Sequence, residues 1–225
     1  MKSKVKALYA VAILLTILSL AVPLAALPSL PDAIPAHYNI AGTVDRWGSK
    51  YEVLIFPAFI LPYSAAWTAC GRTLWRSRAE TASELIWIAG GVVQLIVFAA
   101  LQAYFLYTSF RQAADLSAVP VDLNRILCVV SAAGLMVMGN YLPKLQKPGP
   151  TGLHTPWNMK NEALWRRSQR FGGWAMAAAG AVSIAAAMLT SGAWCWLWLA
   201  LSVTAACAAG AVYSYRIAKA EPSPD

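Results

Sequence analysis

Few residues in this 225-residue chain have the type and spacing to do chemistry. There are two histidines, His37 and His154. His37 precedes Asp45 by eight residues, near enough for an imidazole–carboxylate couple that could move a proton. The same pair can equally serve as a loop hydrogen bond, or as a contact offered to an external ligand. The four cysteines, Cys70, Cys128, Cys195 and Cys207, fall in or beside apolar stretches and show no CxxC spacing. They read as small buried apolar residues, with a Cys128–Cys195 disulfide left open. HExxH, GxSxG and P-loop patterns are absent from the sequence. The expectation is a protein that is not an enzyme, with no catalytic set, no cofactor and no metal site.

The elements that carry these residues are dictated by composition. Hydrophobic residues make up 59% of the chain and charged residues 12%, with mean hydropathy +0.52. A soluble domain carries about 25% charge. Six apolar stretches, at approximately 7–27, 52–70, 84–108, 122–142, 171–190 and 193–215, each approach or exceed the ~20 residues that cross a bilayer. With no water to satisfy the backbone in lipid, each must be a helix. The first is read as an uncleaved span that kinks or ends near Pro23, because its apolar run outlasts a signal-peptide core. The expected fold class is therefore an all-α integral membrane protein of six transmembrane helices.

Charge sets the expected orientation. With the N-terminus inside, 14 of the 18 Lys and Arg residues, Arg76 and Arg78 among them, fall on the inner side. Arg46, Lys50, Arg111 and Arg125 remain outside. The positive-inside rule then puts both termini in the cytoplasm. The net charge of +8 follows from this asymmetry and carries no implication of direct nucleic-acid binding. Short connections around Ser191-Gly192-Ala193 and many small residues predict a tight hairpin of the last two helices. Gln94 and Gln102, eight residues apart, lie on one face of the third helix, where they bond to a neighbouring helix or line a ligand path.

Two loops carry the specific information. The outer one, about 28–51, shows neither helical nor strand periodicity; Pro31 and Pro35 stiffen it, and Gly42 and Gly48 allow turns. Asp45, Arg46 and Lys50 can pair locally, and Trp47 suits the headgroup level. In the inner loop Pro143 ends the fourth helix and Pro148-Gly149-Pro150 makes a stiff turn. Thr155-Pro156 reads as a helix start, with Asn158 or Asn161 as alternative caps. From there Trp157, Leu164, Trp165 and Phe171 fall near one face and Lys160, Arg166, Arg167 and Arg170 mostly on others. This predicts a short basic amphipathic helix along the inner membrane surface, serving as a headgroup anchor or as a docking surface for a cytosolic protein.

Two runs of residues resemble known modules. Pro35-Ala36-His37-Tyr38-Asn39, Gly42, Asp45-Arg46-Trp47 and Lys50 resemble the DUF1648 module. Gly139-Asn140-Tyr141-Leu142-Pro143-Lys144, Gly152, Thr155-Pro156-Trp157, Trp165 and Arg170 resemble the SdpI module. Together they resemble the SdpI family of bacterial membrane proteins. The corresponding division is 1–70 for the DUF1648-like part, 71–124 for the third helix and its flanks, and 125–225 for the SdpI-like part. The sequence departs from the family pattern at Gly149, His154 and Gln169, where the family usually has Asn, Arg and His.

The resemblance implies a multi-pass protein of the bacterial plasma membrane that confers immunity to a secreted peptide toxin. It also implies a possible second role, sequestering a cytosolic repressor. It assigns His37, Asn39, Gly42, Asp45, Arg46 and Trp47 to the toxin-facing outer loop. Asn140, Pro143, Lys144, Thr155, Pro156, Trp157, Trp165, Arg166 and Arg170 fall to the inner, partner-binding side. A third alternative is a small transporter or membrane enzyme using His37, Asp45 or the Gln94–Gln102 face.

Overall fold

The structure is a computed structural model and describes residues 2–39, 41–75, 81–147 and 151–220. Arg76 and Arg78, counted among the inner charges, and the Pro148-Gly149-Pro150 turn lie outside the described residues. Six helices dominate: α1 (Lys2–Ala26), α2 (Ile55–Trp75), α3 (Thr81–Arg111), α4 (Leu123–Tyr141), α5 (Glu162–Leu189) and α6 (Ala193–Lys219). Each contains a segment long and apolar enough to cross a membrane. α1 runs on past Pro23 to Ala26 rather than ending there. Large apolar side chains stay exposed along the helices, among them Leu14, Phe59, Trp174 and Leu189. In water these would be costly; against lipid tails they are the expected outer surface.

The helices form two three-helix units that meet along α3 and α4. In the first, α1 packs on α3, where the buried Gln102 amide donates to the Ser19 carbonyl at 2.9 Å. Thr16 and Ser64 join α1 to α2 at 2.6 Å. α2 and α3 are clamped by Trp67 and Trp87, whose rings stack at 4.2 Å. Each indole N–H of that pair donates to the other residue's carbonyl, at 3.0 and 3.2 Å. Reciprocal bonds of this kind satisfy both indoles without water, which lipid requires.

The second unit is held by close backbone approach. A methyl group on Gly173 would lie 2.5 Å from the Gly139 carbonyl oxygen, and one on Gly139 would lie 2.7 Å from that of Gly173. Small residues permit such crossings, and in lipid packing rather than water exclusion drives association. α5 and α6 form the expected hairpin, joined by a Ser183–Ser202 bond of 2.6 Å and a Phe171–Tyr213 stack at 4.2 Å. Cys128 and Cys195 are buried in one cluster, and both thiols are free.

The all-α expectation needs correction in the first loop. Residues there form an antiparallel hairpin of β1 (Ala33–Tyr38) and β2 (Val44–Ser49). The register slips between Pro35 and His37 and again between His37 and Tyr38. Side chains therefore do not alternate evenly between faces, so no period of two shows in the sequence.

The α4–α5 crossing makes a direct prediction. Gly173→Ala places a methyl group against backbone that cannot move aside, a cost of about 1–3 kcal/mol. Thermal unfolding of the detergent-solubilised protein should show a lower midpoint than wild type.

Candidate functional site

The residues singled out by sequence fall at the two ends of the bundle. The hairpin end holds β1, β2, the α3–α4 connection and the α5–α6 turn. The motif end holds the α4–α5 connection and the first turns of α5.

At the hairpin end the strands are fastened to α3. Leu30, Ile34, Val53 and Leu106 form a buried cluster beneath them. At the tip Asn39 organises the turn: its side-chain oxygen accepts from the Ala41 and Thr43 amides at 2.9 and 3.1 Å, and its amide donates to the Thr43 hydroxyl at 2.6 Å. Gly42 takes a φ of +85°, which favours glycine. The tip then joins the segment after α3, where the Leu116 amide donates to the Gly42 carbonyl and the Val44 amide to that of Ala114, both at 2.9 Å. The Tyr38 hydroxyl donates to the Ala113 carbonyl at 2.9 Å.

One His–carboxylate contact and two ion pairs lie on this hairpin and its flanks. His37 Nδ1 and Asp45 Oδ1 are 2.6 Å apart, so the couple expected from their spacing is formed. Arg46 grips Glu52 with two bonds of 3.0 and 2.8 Å, the bidentate geometry that gives Arg–carboxylate pairs their specificity. Lys50 donates to Asp32 at 2.8 Å. Trp47 is exposed. His37 and Asp45 are also open to solvent, and among the described residues no group of three His, Cys, Asp or Glu could hold a metal ion.

The Lys50 hydrogen bond, and then its charge, holds the Asp32 carboxyl below its ordinary pKa. A depressed carboxylate contributes stability that is present above its ordinary pKa and lost as pH falls through the lowered folded-state value. Hydrogen exchange of the Lys50 amide, which donates to the Asp32 carbonyl at 3.0 Å, should speed up across that acidic window. Asp32→Asn should remove the pH dependence; because the pair is exposed, the effect is modest.

The motif end differs from the expected surface helix. Thr155-Pro156-Trp157 forms a turn, and α5 starts at Glu162, with Asn161 capping it through a 2.9 Å bond from the Leu164 amide. Arg166, Arg167 and Arg170 therefore sit on the first turns of the spanning helix itself, which runs unbroken to Leu189. Thr155 does make a cap-like bond, accepting from the Asn158 amide at 3.1 Å and bonding also to Ser214 of α6, but the turn it caps ends before Asn161, which caps α5.

The loop folds back into the bundle, and most of the hydrogen bonds it makes come from within, although the Thr151 hydroxyl is buried without a partner. Gln169, fully buried, accepts from the Leu153 amide at 2.9 Å and donates to the Leu153 carbonyl at 2.7 Å. Asn158, also fully buried, donates to the same carbonyl at 2.8 Å and accepts from the Thr155 amide at 3.0 Å. Trp165, with no exposed surface, donates its indole N–H to the Leu145 carbonyl at 3.0 Å. Gly152 has a φ of +115°, and a methyl group there would sit 2.8 Å from the Gln169 oxygen. Beside this loop lies a mainly apolar cavity of about 300 Å³, bordered by Leu142, Thr151, Leu153, Met176, Cys207 and Gly210 among others.

The residues expected to bind a partner at this end thus divide. Thr155 and Trp165 are buried and build the loop, so neither presents a surface to a partner. Trp157 is half-buried, edge-on to Tyr215 at 5.3 Å. Asn140, Pro143, Lys144, Pro156, Arg166 and Arg170 are exposed. Asn140 and Pro143 border a notch of about 150 Å³ with Gly139, Gly173 and Trp174. Lys144 lies over the Tyr141 ring at 4.5 Å, and Arg166 pairs with Glu162 at 2.6 Å. Asn158 and Gln169, which fasten the loop, were not singled out as functional by sequence. The three-residue spacing from Thr155 was a signal for Asn158, whereas nothing local pointed from Gln169 to Leu153.

Fold and site together define a multi-pass membrane protein with a strapped hairpin at one end and an inward-folded loop at the other. Residues 14–61 match a domain of unknown function, DUF1648, and residues 144–214 match the SdpI/YfhL protein family. The chain carries a DUF1648 domain followed by an SdpI/YfhL family domain, the arrangement its motifs resemble. No curated protein and no solved structure matches it.

Gln169→Leu should leave the Leu153 amide buried without a partner, costing about 1–3 kcal/mol. Hydrogen exchange across 151–158 should rise sharply, while the hairpin amides exchange as before.

Proposed function

We propose that this protein is a non-enzymatic membrane immunity protein, giving resistance to a secreted, membrane-active peptide by binding it at the bacterial plasma membrane. The observation that carries the reading is the SdpI/YfhL match over residues 144–214 on a frame of six membrane-length helices. In this reading the motif end, where most Lys and Arg cluster, faces the cytoplasm and the hairpin end faces outward. The hairpin then presents His37, Asp45, Arg46 and Trp47 to the outside. Its fastening to the segment after α3 supports this role, because a pre-ordered surface loses little freedom on capturing a peptide.

Expression in toxin-sensitive cells tests the reading. Survival against at least one peptide of a membrane-active panel is the expected outcome, with Asp45→Ala lowering protection at unchanged membrane abundance. Unchanged killing across the panel would sink it. A second reading, capture of a cytosolic repressor, draws support from the exposed Arg170, one helical turn before Gly173 and Trp174 of the Asn140 notch. A photocrosslinker at Arg170 then traps a cytosolic protein; recovery of lipid alone counts against it.

A further inference from the structure

The seam between the two three-helix units holds a cleft that neither the hairpin nor the motif loop uses. Its volume is about 610 Å³. α3 and α4 contribute Gln94, Phe98 and Ser131, α2 contributes Tyr63 and Trp67, and α6 contributes Val203. Tyr63, Gln94 and Ser131 each lie near the middle of their helices, so the cleft sits at the mid-depth of the bilayer.

Three polar groups converge there without partners. Among the described residues, no hydrogen bond is made by the Gln94 amide, the Ser131 hydroxyl or the Tyr63 hydroxyl. Elsewhere many polar side chains between the helices find a partner, although Gln102 Oε1, Arg125 Nε and Ser168 Oγ are buried without one. Gln102, on the same helix, bonds to Ser19. Thr16, Ser109, Ser183 and Thr190 return their hydroxyls to the carbonyl four residues back. A polar side chain in hydrocarbon costs free energy unless it is paired. Three such groups facing one space in the membrane interior therefore point to a bound molecule that pairs them.

The lining limits what that molecule can be. It includes no Asp, Glu, Lys, Arg or His among the described residues, so a charged group would be stranded at mid-bilayer. All three polar groups can donate, which suits oxygen acceptors. Tyr63, Trp67 and Phe98 form an aromatic wall, with Phe98 edge-on to Tyr63 at 5.6 Å. Such a wall favours a flat ring. The volume suits one small molecule: ligand pockets span about 300–1,000 Å³, and a helix is about 10–12 Å across.

We infer that this cleft binds an uncharged, lipid-soluble molecule whose flat ring carries hydrogen-bond-accepting oxygens. The inference is independent of the immunity reading.

Wild-type protein in phosphatidylcholine nanodiscs, titrated with decylubiquinone as probe and with dodecane as an apolar control, tests it. The quinone should raise the unfolding temperature saturably and dodecane should not. Gln94→Leu should weaken quinone binding about tenfold or more, the loss of one well-made hydrogen bond in a dry site. Its ligand-free unfolding temperature should equal or exceed that of wild type, because an unpaired amide has been replaced by an apolar side chain. Ser131→Ala, a smaller change, should weaken binding in the same direction and fold normally. An equal shift with dodecane, undiminished binding by both variants, or a lower ligand-free unfolding temperature for Gln94→Leu would each overturn the inference. The last result would mean that Gln94 holds the bundle together.

Discussion

The α4–α5 crossing, where Gly139 and Gly173 bring two backbones into contact, sets the geometry of the whole motif end. Because α4 runs so close to α5, Pro143 packs against Gly173 as the chain leaves the fourth helix. The loop that follows has little room outside the bundle and folds back over α5 and α6, where Gln169 and Ser214 meet it. Larger residues at the crossing would push the helices apart and take Gln169 out of reach of Leu153. The inward-folded loop is thus a consequence of two missing side chains, and its polar network is what backbone buried in a membrane protein requires.

The two ends solve the same problem by different means. At the motif end buried amides satisfy the loop, with Gln169 and Asn158 sharing the Leu153 carbonyl. The Gln169 amide places an acceptor and a donor side by side, matching the N–H and C=O of a single residue. An imidazole, with its nitrogens on different edges of the ring, could not make that pair of bonds in the same way. At the hairpin end backbone ladders do the work, and the ion pairs stay in water. Exposed pairs contribute little to stability, so their geometry serves more to fix the shape of the surface than to hold the fold.

The six helices were legible because the length of an apolar run is a local property matched to bilayer thickness. The caps were legible: Thr155 and Asn161 both stood among the candidates, and both cap, Thr155 a short turn and Asn161 the helix α5. The hairpin was hidden by its register slips. The basic stretch reads as a separate surface helix because Thr155-Pro156 imitates a helix start and nothing local shows Trp165 plugged beneath Leu145. Gln94 and Gln102 share a helix face by spacing, yet one meets Ser19 and the other a cleft; their difference belongs to the neighbouring helices.

The strapping of the hairpin has a mechanical consequence. The Gly42–Leu116 and Val44–Ala114 bonds attach the tip to the segment directly after α3, and α3 is the helix through which the first unit meets the second. A load applied to the tip is carried into that seam rather than dissipated in a loose loop. Packed helices accommodate such loads by sliding slightly against one another. At Gly134, where a methyl group would lie 2.6 Å from the Val93 side chain, α3 and α4 are in close contact, so a load reaching α3 is passed on to α4. The hairpin tip is in this sense mechanically tied to the seam between the two units.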